Sequence, residues 1–256
     1  MKDKIIIKGL CKSFGNKHVI QELDISVRQG ESLVVIGGSG SGKSVLIKNI
    51  VGILKPDAGS IIIDDIEATK LSEKEHNKML NKFGYLFQGG ALFDSLPIWK
   101  NIAFVPIQNN SLTSKQARSL AIEKLESVGL DESVADLFPA ELSGGMQKRA
   151  ALARAIALNP EIIFFDEPTT GLDPIMSAII NDLIKKNSKQ LGATTITITH
   201  DLISAAHIAD KIAMLYEGKI IWQGPIDKLY SSGNPYVEQF VSGSVEGPIK
   251  IKLQDH

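Results

Sequence analysis

Leu33-Val34-Val35-Ile36-Gly37-Gly38-Ser39-Gly40-Ser41-Gly42-Lys43-Ser44 joins an apolar run to a glycine-rich loop and then to a helical pattern that begins at Lys43. Strand, phosphate loop and helix follow one another in that order. The spacing G-x-x-x-x-G-K-[ST] lets backbone N–H groups turn inward around a β-phosphate, and the helix behind the loop presents its positive end to the same anion. Lys43 then reaches the β/γ oxygens as a point charge, and Ser44 offers a hydroxyl to Mg²⁺. With Val45 beside them, these residues form the candidate phosphate-binding loop, which by itself does not separate a transporter motor from a nucleoside kinase or a GTPase.

Outward from this loop the chain alternates strand and helix signals. Residues 1–36 read as short β segments, Lys55-Pro56-Asp57-Ala58-Gly59 as a turn, Ile61-Ile62-Ile63 as a strand, and Gly84-Tyr85-Leu86-Phe87 as a buried strand ending at Gln88. Between about Gly89 and Leu142 the strand signals stop. Ala117, Leu120, Ala121, Leu125 and Val128 recur at helical spacing, ended by Gly129. After Gly145 an alanine-rich helix runs to Leu158 and is stopped by Asn159-Pro160. Ile162-Ile163-Phe164-Phe165 leads into Asp166-Glu167, and Ile196-Thr197-Ile198-Thr199 ends at His200. The expected fold is α/β: a P-loop NTPase core with a mostly parallel sheet, an N-terminal antiparallel β part and an inserted α-helical subdomain. The expected layout is one domain over 1–256, with an α/β core at 1–88 and 160–230, helices at about 89–159, and a tail at 231–256.

Composition narrows the partners. Lys plus Arg number 28 against 29 Asp plus Glu, a net charge of −1, so no bulk field draws in nucleic acid. The single cysteine, Cys11, can form no internal disulfide, and the cytosol is the default compartment. No export signal is visible, and the apolar runs break well before the ~20 residues of a membrane helix, so any membrane span belongs to another chain.

The carboxyl ends of the strands carry the candidate chemistry. Asp166 is placed to hold Mg²⁺ through its waters, and Glu167 to orient or deprotonate an attacking water. Gln88 and His200 also close strands, the first directed toward Mg²⁺ and water, the second toward a γ-phosphate oxygen. Phe14, with Val19 as an apolar neighbour, can stack on a base. No Asn-Lys-x-Asp segment is present to read guanine. Asp94 and His207 are assigned no chemistry. A second anion site opens the alanine-rich helix at Leu142-Ser143-Gly144-Gly145, with Ser143 as N-cap. One chain therefore carries halves of two phosphate sites, a layout that two chains complete by pairing head to tail.

These motifs together resemble the nucleotide-binding subunit of an ATP-binding cassette (ABC) transporter over almost the whole length. The resemblance implies that Phe14 stacks on adenine, that residues 37–44 are the Walker A loop and Gln88 the Q-loop, and that Leu142 to Met146 are the signature. It implies further that Ile162 to Asp166 are Walker B, Glu167 the catalytic glutamate, Gly171-Leu172-Asp173 the D-loop, and His200 the switch histidine. The usual fifth signature residue is glutamine, and here it is Met146. Gln88 to Leu96, Met146, Asp166 to Ile175, and the C-terminal Pro235 to Gly243 with Glu246 to Ile249 are similar to the Mla-type ATPases that work with MCE-domain proteins to move lipid between bacterial membranes. That resemblance implies ATP and Mg²⁺ as cofactors and a second copy, permease subunits and an MCE-domain protein as partners. It also implies a place on the inner face of the inner membrane, a coupling-helix contact at Phe93, Leu96, Ile98 and Trp99, and a tail that crosses to the partner. The alternatives are a polar-solute importer ATPase and a soluble non-transport ABC ATPase.

Overall fold

A computed structural model describes residues 2–250 of the chain. Strands β1 (Asp3–Phe14) and β2 (Lys17–Arg28) pair antiparallel, and β4 (Ala58–Ile63) joins β1 on its other side, with β5 (Ile66–Glu67) at the edge. The short segments expected at the N-terminus are thus two long strands. Register shifts around Gly9 and Cys11 interrupt the apolar alternation that would have marked their length.

The second sheet has six strands in the order β10-β9-β3-β8-β7-β6. They are β3 (Ser32–Ile36), β6 (Phe83–Leu86), β7 (Ile162–Asp166), β8 (Thr194–Thr199), β9 (Lys211–Tyr216) and β10 (Lys219–Pro225). All pairs are parallel except β9 with β10. Both faces are covered, so β7 and β8 are buried at every residue and read as continuous apolar or hydroxyl-bearing runs. Side chains alternate between two cores. Leu33, Val35, Ile162 and Phe164 face the antiparallel sheet and α1 (Lys43–Ile50), whereas Val34, Ile36, Ile163 and Phe165 face the helices.

Helix α2 (Glu73–Leu80) opens on a capping box of Ser72 and Glu75. Between β6 and β7 the chain forms α3 (Ile98–Ile102), α4 (Phe104–Gln108), α5 (Ser114–Ser127) and α6 (Gly144–Ala155). Helix α5 begins at a Thr113–Gln116 capping box and α6 at Ser143, whose Oγ accepts the Met146 N–H. Met146 itself packs against the core. Helices α7 (Pro174–Leu191), α8 (Leu202–Ile208) and α9 (Pro235–Ser242) complete the described residues.

One expectation changes here. Ile98 is fully buried, with its N–H bonded to Leu137 O, so it packs inside and cannot meet a permease, while Phe93 stays 44% exposed and Leu96 and Trp99 are half-buried. The first part of the tail folds on its own chain: Val237 is buried, and Gln239 holds the backbone of Ser244 and Ile249. Residues 251–256 of that tail lie outside the described residues.

Candidate functional site

The loop after β3 is shaped by close approach. A Cβ on Gly37 would overlap Leu215 O, and one on Gly42, at φ 107°, would lie 2.9 Å from Val19 O, so both positions demand glycine. Lys43 is buried, and its Nζ donates to Gly37 O at 2.8 Å and Gly38 O at 3.1 Å. Burial pushes its ammonium below the usual lysine range, opposed by Glu167 and Asp166. A cation held by neutral carbonyls is poised for transfer to a stronger anion.

Asp166 and Glu167 lie at the end of β7, beside that loop. Asp166 Oδ1 is 3.5 Å from Ser44 Oγ, and Oδ2 accepts from the Tyr85 hydroxyl at 3.4 Å. Burial raises the Asp166 carboxyl above the ordinary range, and the Tyr85 bond opposes it. Burial likewise raises the Tyr85 phenol, which keeps it a donor. Glu167 adopts a left-handed φ of 49°, a conformation uncommon for a residue other than glycine. Its Oε2 meets His200 Nδ1 at 2.9 Å, Thr170 Oγ1 at 3.2 Å and Thr199 Oγ1 at 3.3 Å, and its Oε1 is 4.0 Å from Lys43 Nζ.

A cleft of about 580 Å³ gathers Phe14, Val19, Ser39, Gly40, Gly42, Lys43, Ser44, Val45, Gln88, Glu167 and His200. Phe14 is 49% exposed at its mouth. The cleft can seat a planar base against Phe14 and an anion against Lys43. The Ser44 hydroxyl beside Asp166 and the Gln88 amide in the cleft are, with the Asp166 carboxylate, hard oxygens that suit Mg²⁺ completed by phosphate and water, although Asp166 itself does not line the cleft. Among the described residues no group of three His, Cys, Asp or Glu could hold a metal without such help. Ser143, Gly144, Gly145 and Asp173 do not line the cleft. Asp173 Oδ1 caps α7 through the Ile175 and Met176 N–H groups. Asp94 is exposed in a turn, and His207 pairs with Asp182 at 2.7 Å.

Five participants carry no motif of their own in the sequence. Lys17 lines the cleft, Tyr85 bonds Asp166, and Thr170 and Thr199 hold Glu167. Lys148, buried on α6, donates to Gln88 O, so the signature helix holds the chain just after β6. Thr199, next to His200, and Thr170, three residues after Glu167, were the available signal, since both lie close to a strand-end residue already singled out.

The sequence profile described as ABC transporter matches residues 20–170. The chain is 41% identical over 247 residues to the probable ribonucleotide transport ATP-binding protein mkl of Mycobacterium leprae, spanning 96% of this chain and 70% of that protein. It is 39% identical over 248 residues to the intermembrane phospholipid transport system ATP-binding protein MlaF of Haemophilus influenzae, spanning 97% of this chain and 94% of that one. Its fold matches the dimeric post-hydrolysis state of the ATP-binding cassette MJ0796 bound to ADP and Pi, with a TM-score of 0.80 at 31% identity over 87% of this chain and 98% of the other.

Proposed function

The chain belongs to the ABC transporter family of ATP-binding cassettes, and from that premise we propose that its ATPase drives the movement of phospholipid between membranes. It is an ATP-hydrolysing motor subunit that pairs with a second copy and works with transporter subunits. Among the described residues no helix is long and apolar enough to cross a membrane, and in this reading the chain sits on the cytoplasmic face against a permease. The likeness to MlaF along nearly its full length carries the lipid assignment.

In this reading Phe14 stacks on adenine between Val19 and Val45, and the loop from Gly37 to Ser44 wraps the phosphates. Lys43 leaves its carbonyl partners for the β/γ oxygens. Ser44, Gln88 and Asp166 would hold Mg²⁺, which neutralises phosphate charge when bound. Glu167, steadied by Thr170, Thr199 and His200, accepts a proton from water as the water oxygen attacks the γ-phosphorus and the bond to ADP breaks. Ser143, Gly144 and Gly145 of the second copy close the site. Phe93, Leu96 and Trp99 face the permease, and an MCE-domain protein completes the assembly.

The relatives named for ribonucleotide transport favour a second reading, a polar cargo. Purification of the tagged chain from its host's membranes in mild detergent, followed by mass spectrometry of co-purifying proteins and lipids, separates the two. A permease with an MCE-domain protein and phospholipid supports lipid transport. A permease with a soluble solute-binding protein overturns it.

A further inference from the structure

Behind the strand ends that carry Glu167 and His200, the polar groups converge on one hydroxyl. Ser204 lies in the first turn of α8 and is 1% exposed. Its Oγ lies 2.5 Å from Asp201 Oδ2, 2.8 Å from Asn181 Nδ2 and 3.1 Å from Thr169 Oγ1. A hydroxyl has one proton, and a carboxylate is the strongest acceptor of the three. Ser204 therefore donates to Asp201 and accepts from both Asn181 and Thr169. It ties three pieces together: the segment just after Glu167, the middle of α7, and the start of α8.

The same chain of bonds runs inward to the site. The Asp201 N–H donates to Thr199 Oγ1 at 3.0 Å, and the Thr199 proton goes to Glu167 Oε2. His200 sits between Thr199 and Asp201 with its side chain 61% exposed, so little packing holds the ring, and its approach to Glu167 depends on the backbone at either side. Asn181 and Thr169 are buried as well. Asn181 Oδ1 is buried and has no partner among the described residues, an arrangement that costs stability and that an apolar residue between Ile180 and Ile184 would avoid. A polar side chain retained at that expense points to a positional task. Nothing in nucleotide binding uses Thr169, Asn181 or Ser204.

We propose that Ser204 is a positioning residue for hydrolysis. Its hydroxyl fixes the His200 loop and the 169–173 loop against Glu167, so the hydrogen-bonding partners of the catalytic glutamate and the D-loop keep one arrangement. The proposal rests on the assignment of Glu167 as the base.

The test is steady-state ATP hydrolysis by the full chain carrying Ser204→Ala, Thr169→Val, Thr169→Ser or the Ser204→Ala/Thr169→Val pair, with thermal unfolding of each. A misplacement near 1 Å can cost roughly 10²-fold in rate. Loosening one hub should lower kcat about tenfold in Ser204→Ala and Thr169→Val, with KM for ATP changed by less than about twofold. Thr169→Ser should keep the wild-type rate, and the double variant should be no slower than the worse single one. Lowered Tm with wild-type kcat well below Tm would overturn the proposal, as would multiplying effects in the double variant. If Ser204→Ala does not fold, Thr169→Val turning over at the rate of Thr169→Ser overturns it alone. Glu167→Gln is assayed alongside: normal turnover there would remove the base assignment instead, whereas a dead Glu167→Gln beside a fully active Ser204→Ala removes only the positioning role.

Discussion

Gly84→Ala adds one methyl group where α6 and β6 touch. Gly84 pairs with Ile163 in the parallel sheet, and a Cβ there would overlap Ala155 O and lie 3.0 Å from Pro160 Cγ. Its φ is not positive, so space alone decides the outcome. Carbon atoms rest at about 3.5–4.0 Å, so the Pro160 turn must retreat by roughly 0.5–1 Å, and the carbonyl end of α6, which the Cβ overlaps more deeply, by more than about 1 Å. Overpacking of that kind costs about 1–3 kcal/mol. For a chain of this size each kcal/mol moves Tm by about 2–4 °C, so the variant should melt roughly 2–12 °C lower. Ala155 ends a 12-residue helix, about 18 Å long, whose other end is the signature at Ser143. A tilt at one end shifts the other, and ATP-dependent dimerisation should weaken with stability. Circular dichroism melting and sedimentation with Mg-ATP measure the two effects. An unchanged Tm would refute the close approach of α6 to β6.

Gly144→Ala is the complementary case: a Cβ there meets nothing within 4 Å, so Tm should hold, while hydrolysis and ATP-dependent dimerisation should fall if that edge faces the partner's phosphate. Unchanged turnover would remove Gly144 from the site. Lys43→Ala should lose ATP affinity in isothermal titration, since the variant has no ammonium to transfer from Gly37 O and Gly38 O to the phosphates. Asp166→Asn should raise the Tm of the nucleotide-free chain at pH 7. Burial holds the Asp166 carboxyl above its unfolded value, so the fold favours the protonated form, and the stability it contributes is present at acid pH and lost as pH rises through the raised value. The advantage of asparagine should therefore vanish below about pH 4, the ordinary aspartate range. A lower Tm at pH 7 would contradict that sign, and activity should be lost in either case.

The nucleotide cleft was legible because each of its motifs sits at a strand end, where a change from apolar to polar residues marks both the structure and the chemistry. Phe14, Lys43, Gln88, Glu167 and His200 meet in one cleft although they span most of the chain. What could not be read was direction over short distances. Helix α3 has five residues, too few for periodicity to reveal which face is buried, and Ile98 turned inward. Thr194 to Thr199 read as strand formers, and only the fold shows that Thr199 Oγ1 reaches Glu167. Ser204, Asn181 and Thr169 come from three separate elements with no motif among them, so their convergence belongs to tertiary structure alone.

If Glu167 activates water in a site completed by a second copy, its amide variant should bind ATP, pair and stall. Glu167→Gln, incubated with Mg-ATP and followed by sedimentation and phosphate release, tests both halves in one sample. Glu167→Gln should bind ATP, hydrolyse it roughly 10²- to 10⁴-fold more slowly, and accumulate as a dimer that wild type does not retain. Wild-type turnover, or a variant that stays monomeric with ATP bound, would contradict it.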